Sequence, residues 1–65
     1  MIDYYALLKH CEDGKQYSRF HLVHIFGEKD VDGALNCGYF ASAGKNSIDD
    51  DTYMITEKGI SHINQ

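Results

Sequence analysis

Residues 49–63 read DDDTYMITEKGISHI, and three structural regimes follow one another within them. Aspartates favour turns. From Thr52 the chain alternates, with Tyr53 and Ile55 on one side and Thr52, Met54 and Thr56 on the other, the period-two signature of a half-buried strand. Thr56 then stands where a helix N-cap belongs, and Ile60 and Ile63 fall on one side of the turns that follow. Such a strand needs a partner, and residues 39–45, YFASAGK, supply one, with Tyr39, Ala41 and Ala43 sharing a face. The segment between them, GKNSIDDD (44–51), is polar and turn-rich. These residues predict a β-hairpin with a solvated tip that the aspartates close, followed by a short helix.

Upstream of the hairpin the periodicity changes to helical. Tyr4, Leu7, Leu8 and Cys11 follow the i, i+3, i+4, i+7 spacing of one apolar face, with Asp3 as N-cap and Ile2 placed to staple onto Leu7. EDGKQ (12–16) breaks that pattern. Ser18 caps a second helix, in which Tyr17 and Leu22 form the staple pair and Leu22, Val23 and Phe26 the inner stripe, ended by Gly27. Asp30 caps a third helix that turns Val31, Ala34 and Leu35 inward and closes at Gly38. Gly33 in its interior costs about 1 kcal/mol against alanine, unless a neighbour approaches its backbone closely. The chain has no proline, so glycine supplies the punctuation, and Gly14, Gly27, Gly38, Gly44 and Gly59 fall where the period changes.

Sixty-five residues make one domain, residues 1–65, of a size at which a single core barely outweighs chain entropy. Five tyrosines and three phenylalanines offset this with large buried areas, and a homodimer would cover more surface still. Cys11 and Cys37 lie within apolar patterns and read as buried thiols. No apolar run reaches bilayer length and no basic leader precedes the first helix, so the expected location is cytoplasmic. The formal net charge is −4, which opposes a polyanionic partner. The six cations (Lys9, Lys15, Arg19, Lys29, Lys45, Lys58) are scattered rather than gathered on one stripe.

Helix, helix, turn, helix and hairpin is the element order of a winged helix–turn–helix domain, and the local sequence agrees. LVHIFGEKDVDGALNCGYF (22–40) resembles the helix–turn–helix core of bacterial winged-helix transcriptional repressors, where a Gly-aromatic pair leads into the wing. TYMITEKGISHI (52–63) resembles the second wing strand and following helix of the multiple-antibiotic-resistance and phenolic-acid repressor families, with their Y-x-[IL]-T-x-x-G run. The resemblance spans residues 2–64 and implies an α+β winged helix: three helices, a hairpin wing and a short C-terminal helix. It also implies a DNA-binding transcription regulator whose reading helix, Lys29 to Cys37, turns Lys29, Asp32, Gly33 and Asn36 outward. Lys45 to Asp51 would form the wing tip, with Lys45 and Asn46 near the duplex and Arg19 toward phosphate. The long dimerisation helix of several such families is absent from the sequence.

Charge opens a second reading. Glu28, Asp30 and Asp32 oppose Lys29 on the reading helix, and Asp49, Asp50 and Asp51 oppose Lys45 on the wing. An acidic winged-helix module of that kind would bind a protein, such as one with a basic nucleic-acid-binding surface. The resemblance places DNA slightly ahead. No metal, cofactor or catalysis is expected. His21 and His24 are i, i+3, but no Cys-x-x-Cys accompanies them. Consecutive aspartates diverge on an extended segment, and Cys11 and His10, adjacent on a helix, do not face each other.

Overall fold

Seven elements follow one another in this computed structural model, which describes residues 3–65. They are α1 (Tyr5–His10), β1 (Tyr17–Ser18), α2 (Arg19–Phe26), α3 (Glu28–Asn36), β2 (Phe40–Lys45), β3 (Asp51–Ile55) and α4 (Glu57–Ile63). Four helices pack with a three-stranded antiparallel sheet of order β1-β3-β2, an α+β fold. Among the described residues no helix is long and apolar enough to cross a membrane.

The apolar stripes converge on one core. Leu7, Leu8 and Cys11 come from the α1 segment, Leu22 from α2, Val31 and Ala34 from α3, Phe40 from β2, Tyr53 from β3 and Ile63 from α4. Each large side chain buried in this way contributes about 1.5–3 kcal/mol. In the sheet, Phe40 is opposite Ile55 and Ser42 opposite Tyr53, so the inward face of β2 starts with Phe40. Ala41 is exposed and Ala43 only half-buried.

Two caps match the sequence. The Ser18 hydroxyl accepts the His21 N–H at 3.1 Å. The Thr56 hydroxyl accepts the Gly59 N–H at 3.1 Å and donates to the Gly38 carbonyl at 2.7 Å, locking α4 to the turn before β2.

Two other caps differ. Tyr4, not Asp3, occupies the N-cap position of α1, with φ 60° and no side-chain bond. The Ile2 staple lies outside the described residues. α3 starts at Glu28 rather than after Asp30, because Gly27, at φ 93°, ends α2 and begins α3 in a single residue. Only a residue without a Cβ adopts that conformation freely.

β1 is the element the periodicity did not announce. Two residues are too few to show alternation. Their pairing is long-range, Tyr17 with Tyr53 and Ser18 with Thr52. Gly59 also departs from its expected role, since it lies inside α4 and is buried. A Cβ there would meet the Tyr39 carbonyl oxygen at 2.6 Å and Ile55 Cγ1 at 2.7 Å. This glycine permits a close approach and does not mark a turn.

A candidate interaction face at the head of α2

The sequence placed its contact residues on α3 and the hairpin tip, with Arg19 beside them. The fold brings Arg19, Glu28, Asp32 and Asp50 to the N-terminus of α2 and ties them to it. Arg19, the first residue of α2, donates to Asp32 at 2.9 Å across the α2–α3 junction and lies 3.8 Å from Glu28. The Asp32 carboxylate, and next the Tyr53 hydroxyl, hold the guanidinium charged more firmly than usual. Lys45 pairs with Asp51 at 3.1 Å across the hairpin. The two cations expected to meet phosphate there are thus matched by carboxylates of their own chain.

On α3 the expected outer face is only half present. Lys29 and Asn36 are exposed, but Asp32 is half-buried beneath Arg19. Gly33 faces inward, and a Cβ there would fall inside the Tyr4 ring and hydroxyl. Tyr4 is therefore the neighbour whose approach the helix-interior glycine allows, and Gly33 is turned toward it rather than outward.

The hairpin tip also has internal duties. The Asn46 side chain accepts the N–H groups of Ile48 at 3.1 Å and Asp50 at 3.0 Å, an Asx-type turn that shapes the loop. Asp49 sits at φ 63°, a left-handed conformation that aspartate tolerates better than most residues. Asp50 reaches out of the tip and accepts the Phe20 N–H at 2.9 Å. It serves as a second, long-range cap for α2 and favours the positive end of the helix dipole. Of the expected acidic patch, Asp32, Asp50 and Asp51 have close partners within the chain, Glu28 is exposed and at 3.8 Å from Arg19, and Asp30 and Asp49 present exposed carboxylates.

Two apolar residues at this face were missed. Phe20, on α2 beside Arg19, is 72% exposed, and Ile48, at the hairpin tip, is 76% exposed. Phe20 is stacked on His24 with centroids 6.2 Å apart. It also lines a shallow cleft of about 330 Å³ with Arg19, Val23, Glu28 and Asp50. The signal was available in the sequence: Phe20 falls off the Leu22, Val23, Phe26 stripe, and Ile48 is the one large apolar residue in a polar loop.

The arrangement offers an exposed aromatic side chain beside Glu28 and Asp50, with Arg19 matched by Asp32 and Lys45 by Asp51. No protein-family model, curated protein or solved structure matches the chain.

Proposed function

We propose that the chain is a small, non-enzymatic regulator of the winged helix–turn–helix type. In this reading α2 and α3 form the helix–turn–helix, the β2–β3 hairpin is the wing, and β1 completes the three-stranded sheet. The working surface centres on Phe20 and Glu28, with Ile48 and Asp49 presented at the hairpin tip, and its partner is a protein with a basic, partly apolar surface. The observation that carries this is the internal matching of Arg19 and Lys45. Once those two are matched, Lys29 is left, among the described residues, as the expected duplex contact cation with no carboxylate partner. One phosphate contact gives a salt slope of only about −0.9 in log K against log salt, far too shallow for useful non-specific affinity. An exposed aromatic ring beside carboxylates suits a protein interface, where aromatics anchor and complementary charge steers.

The element order favours a second reading, in which the exposed Lys29 and Asn36 of α3 and the hairpin meet duplex DNA. Two experiments separate them. A mixed duplex pool at low salt should leave the chain unretarded in a mobility assay. A co-purifying protein should be retained by the native chain, lost at high salt, and lost from Phe20→Ser. Salt-sensitive retention on duplex DNA, abolished by Lys29→Ala and unaffected by Phe20→Ser, would install the DNA reading instead.

A further inference from the structure

Two imidazoles meet where α1 and α2 pack together. His10 Nε2 and His21 Nε2 are 3.2 Å apart, although eleven positions separate them in the chain. Both rings are held in place. His10 lies against Tyr17 at 5.2 Å and edge-on to Phe26 at 5.5 Å, and His21 is stacked on Tyr17 at 6.0 Å with planes 20° apart. Tyr17 is fixed in turn by its hydroxyl, which donates to Asp13 at 2.9 Å, while Asp13 also accepts the Lys15 N–H at 3.0 Å. Both histidines are exposed, so water and ions reach the nitrogens.

We propose that His10 and His21 form a two-imidazole site for a late first-row divalent ion of the zinc, copper and nickel class. Imidazole nitrogen is a preferred ligand for these ions. Bonds of about 2.0–2.1 Å at a tetrahedral angle place two nitrogens roughly 3.3–3.4 Å apart, close to the observed 3.2 Å. A small rotation of each ring would direct both lone pairs at one ion. As the rings stand, one Nε2–H donates to the other nitrogen. Ligation moves that hydrogen to Nδ1 of the same ring, a tautomer change with no net proton loss. The Asp13 carboxylate adds negative charge nearby, and its interaction with His10 is among the effects that hold Asp13 below the usual carboxylate range, after its bonds from Lys15 and Tyr17.

No group of three or more His, Cys, Asp or Glu side chains converges among the described residues. The chain therefore supplies two ligands, water or a partner molecule supplies the rest, and binding is weaker than at a four-ligand structural site. The sequence had set His21 beside His24. The fold instead pairs His21 with His10, while His24 stacks on Phe20 and His62 on Tyr39.

The test is titration of the whole chain with Zn²⁺ and Ni²⁺, followed by calorimetry and by melting temperature. One equivalent should bind and raise the melting temperature, because the ion joins α1 to α2. His10→Ala and His21→Ala should each lower affinity by on the order of tenfold or more, the least expected when a ligand itself is lost. His24→Ala and His62→Ala should leave it unchanged. Equal affinity in all four variants, or no binding by the native chain, would overturn the site. If either ligand variant fails to fold, the native chain still decides: substoichiometric Cu²⁺ should broaden the imidazole resonances of His10 and His21 before those of His24 and His62. Uniform broadening of all four would refute the proposal.

Discussion

The two ends of the β2–β3 hairpin are held by different physics. At its base, Phe40 is opposite Ile55, the Thr56 hydroxyl bridges Gly38 and Gly59, and Tyr39 stacks on His62 at 4.4 Å with the Lys58 ammonium 5.7 Å from the ring centroid. At its tip, Asn46 shapes the turn, Lys45 pairs with Asp51, and Asp50 reaches across to α2. The base is built from buried area and close contact, the tip from charges and amides in water. Burial is costly to disturb and indifferent to salt, whereas exposed ion pairs contribute little and are screened. One hairpin thus has a fixed root and an adjustable end, and the adjustable end carries the exposed Ile48 and Asp49.

Substitutions at the two ends should separate in size. Gly59→Ala, at the base, drives a methyl into the Tyr39 carbonyl and Ile55, and a backbone atom cannot swing aside. It should lower stability by about 2 kcal/mol despite alanine's better helix propensity, read as a drop in urea midpoint. An unchanged midpoint would mean that α4 is not seated as described. Asp50→Ala removes the long-range cap of α2 and should cost about 1 kcal/mol, together with faster exchange of the Phe20 amide hydrogen. Lys45→Ala breaks an exposed pair and should cost under about 0.5 kcal/mol, with any effect vanishing at high salt. If Lys45→Ala proved as damaging as Gly59→Ala, the contrast between root and tip would fail.

A last difference shows only in alkali. Burial, aided by the nearby Asp13 charge, pushes the Cys11 thiol up from 9.0 to about 12. Folding therefore favours its protonated form. The contribution is complete below pH 9 and declines as pH rises toward about 12. Cys11→Ser should flatten that decline in an alkaline stability profile. At neutral pH a thiol reagent should label the half-buried Cys37 of the native chain well before Cys11.

The legible parts of this molecule are those where a local pattern states its own reason. Leu7, Leu8 and Cys11 announce one helical face, Ser18 and Thr56 announce caps, and the alternation of residues 52–56 announces a strand; all stand in the structure. The elements that escaped depend on distant partners. β1 exists because β3 is beside it, Asp50 caps a helix thirty residues earlier in the chain, and Gly33 is small because Tyr4 lies across it. The pairings of the expected contact residues were hidden for the same reason. A count of charges cannot reveal that Arg19 and Asp32 neutralise each other.

The pairing of Tyr17 with Tyr53 and the presence of both Leu7 and Ile63 in one core have a consequence for synthesis. On the ribosome, no N-terminal fragment that stops short of β3 can complete the sheet, and none that stops short of α4 can close the core. The native core of the nascent polypeptide therefore cannot close until Ile63 has cleared the exit tunnel.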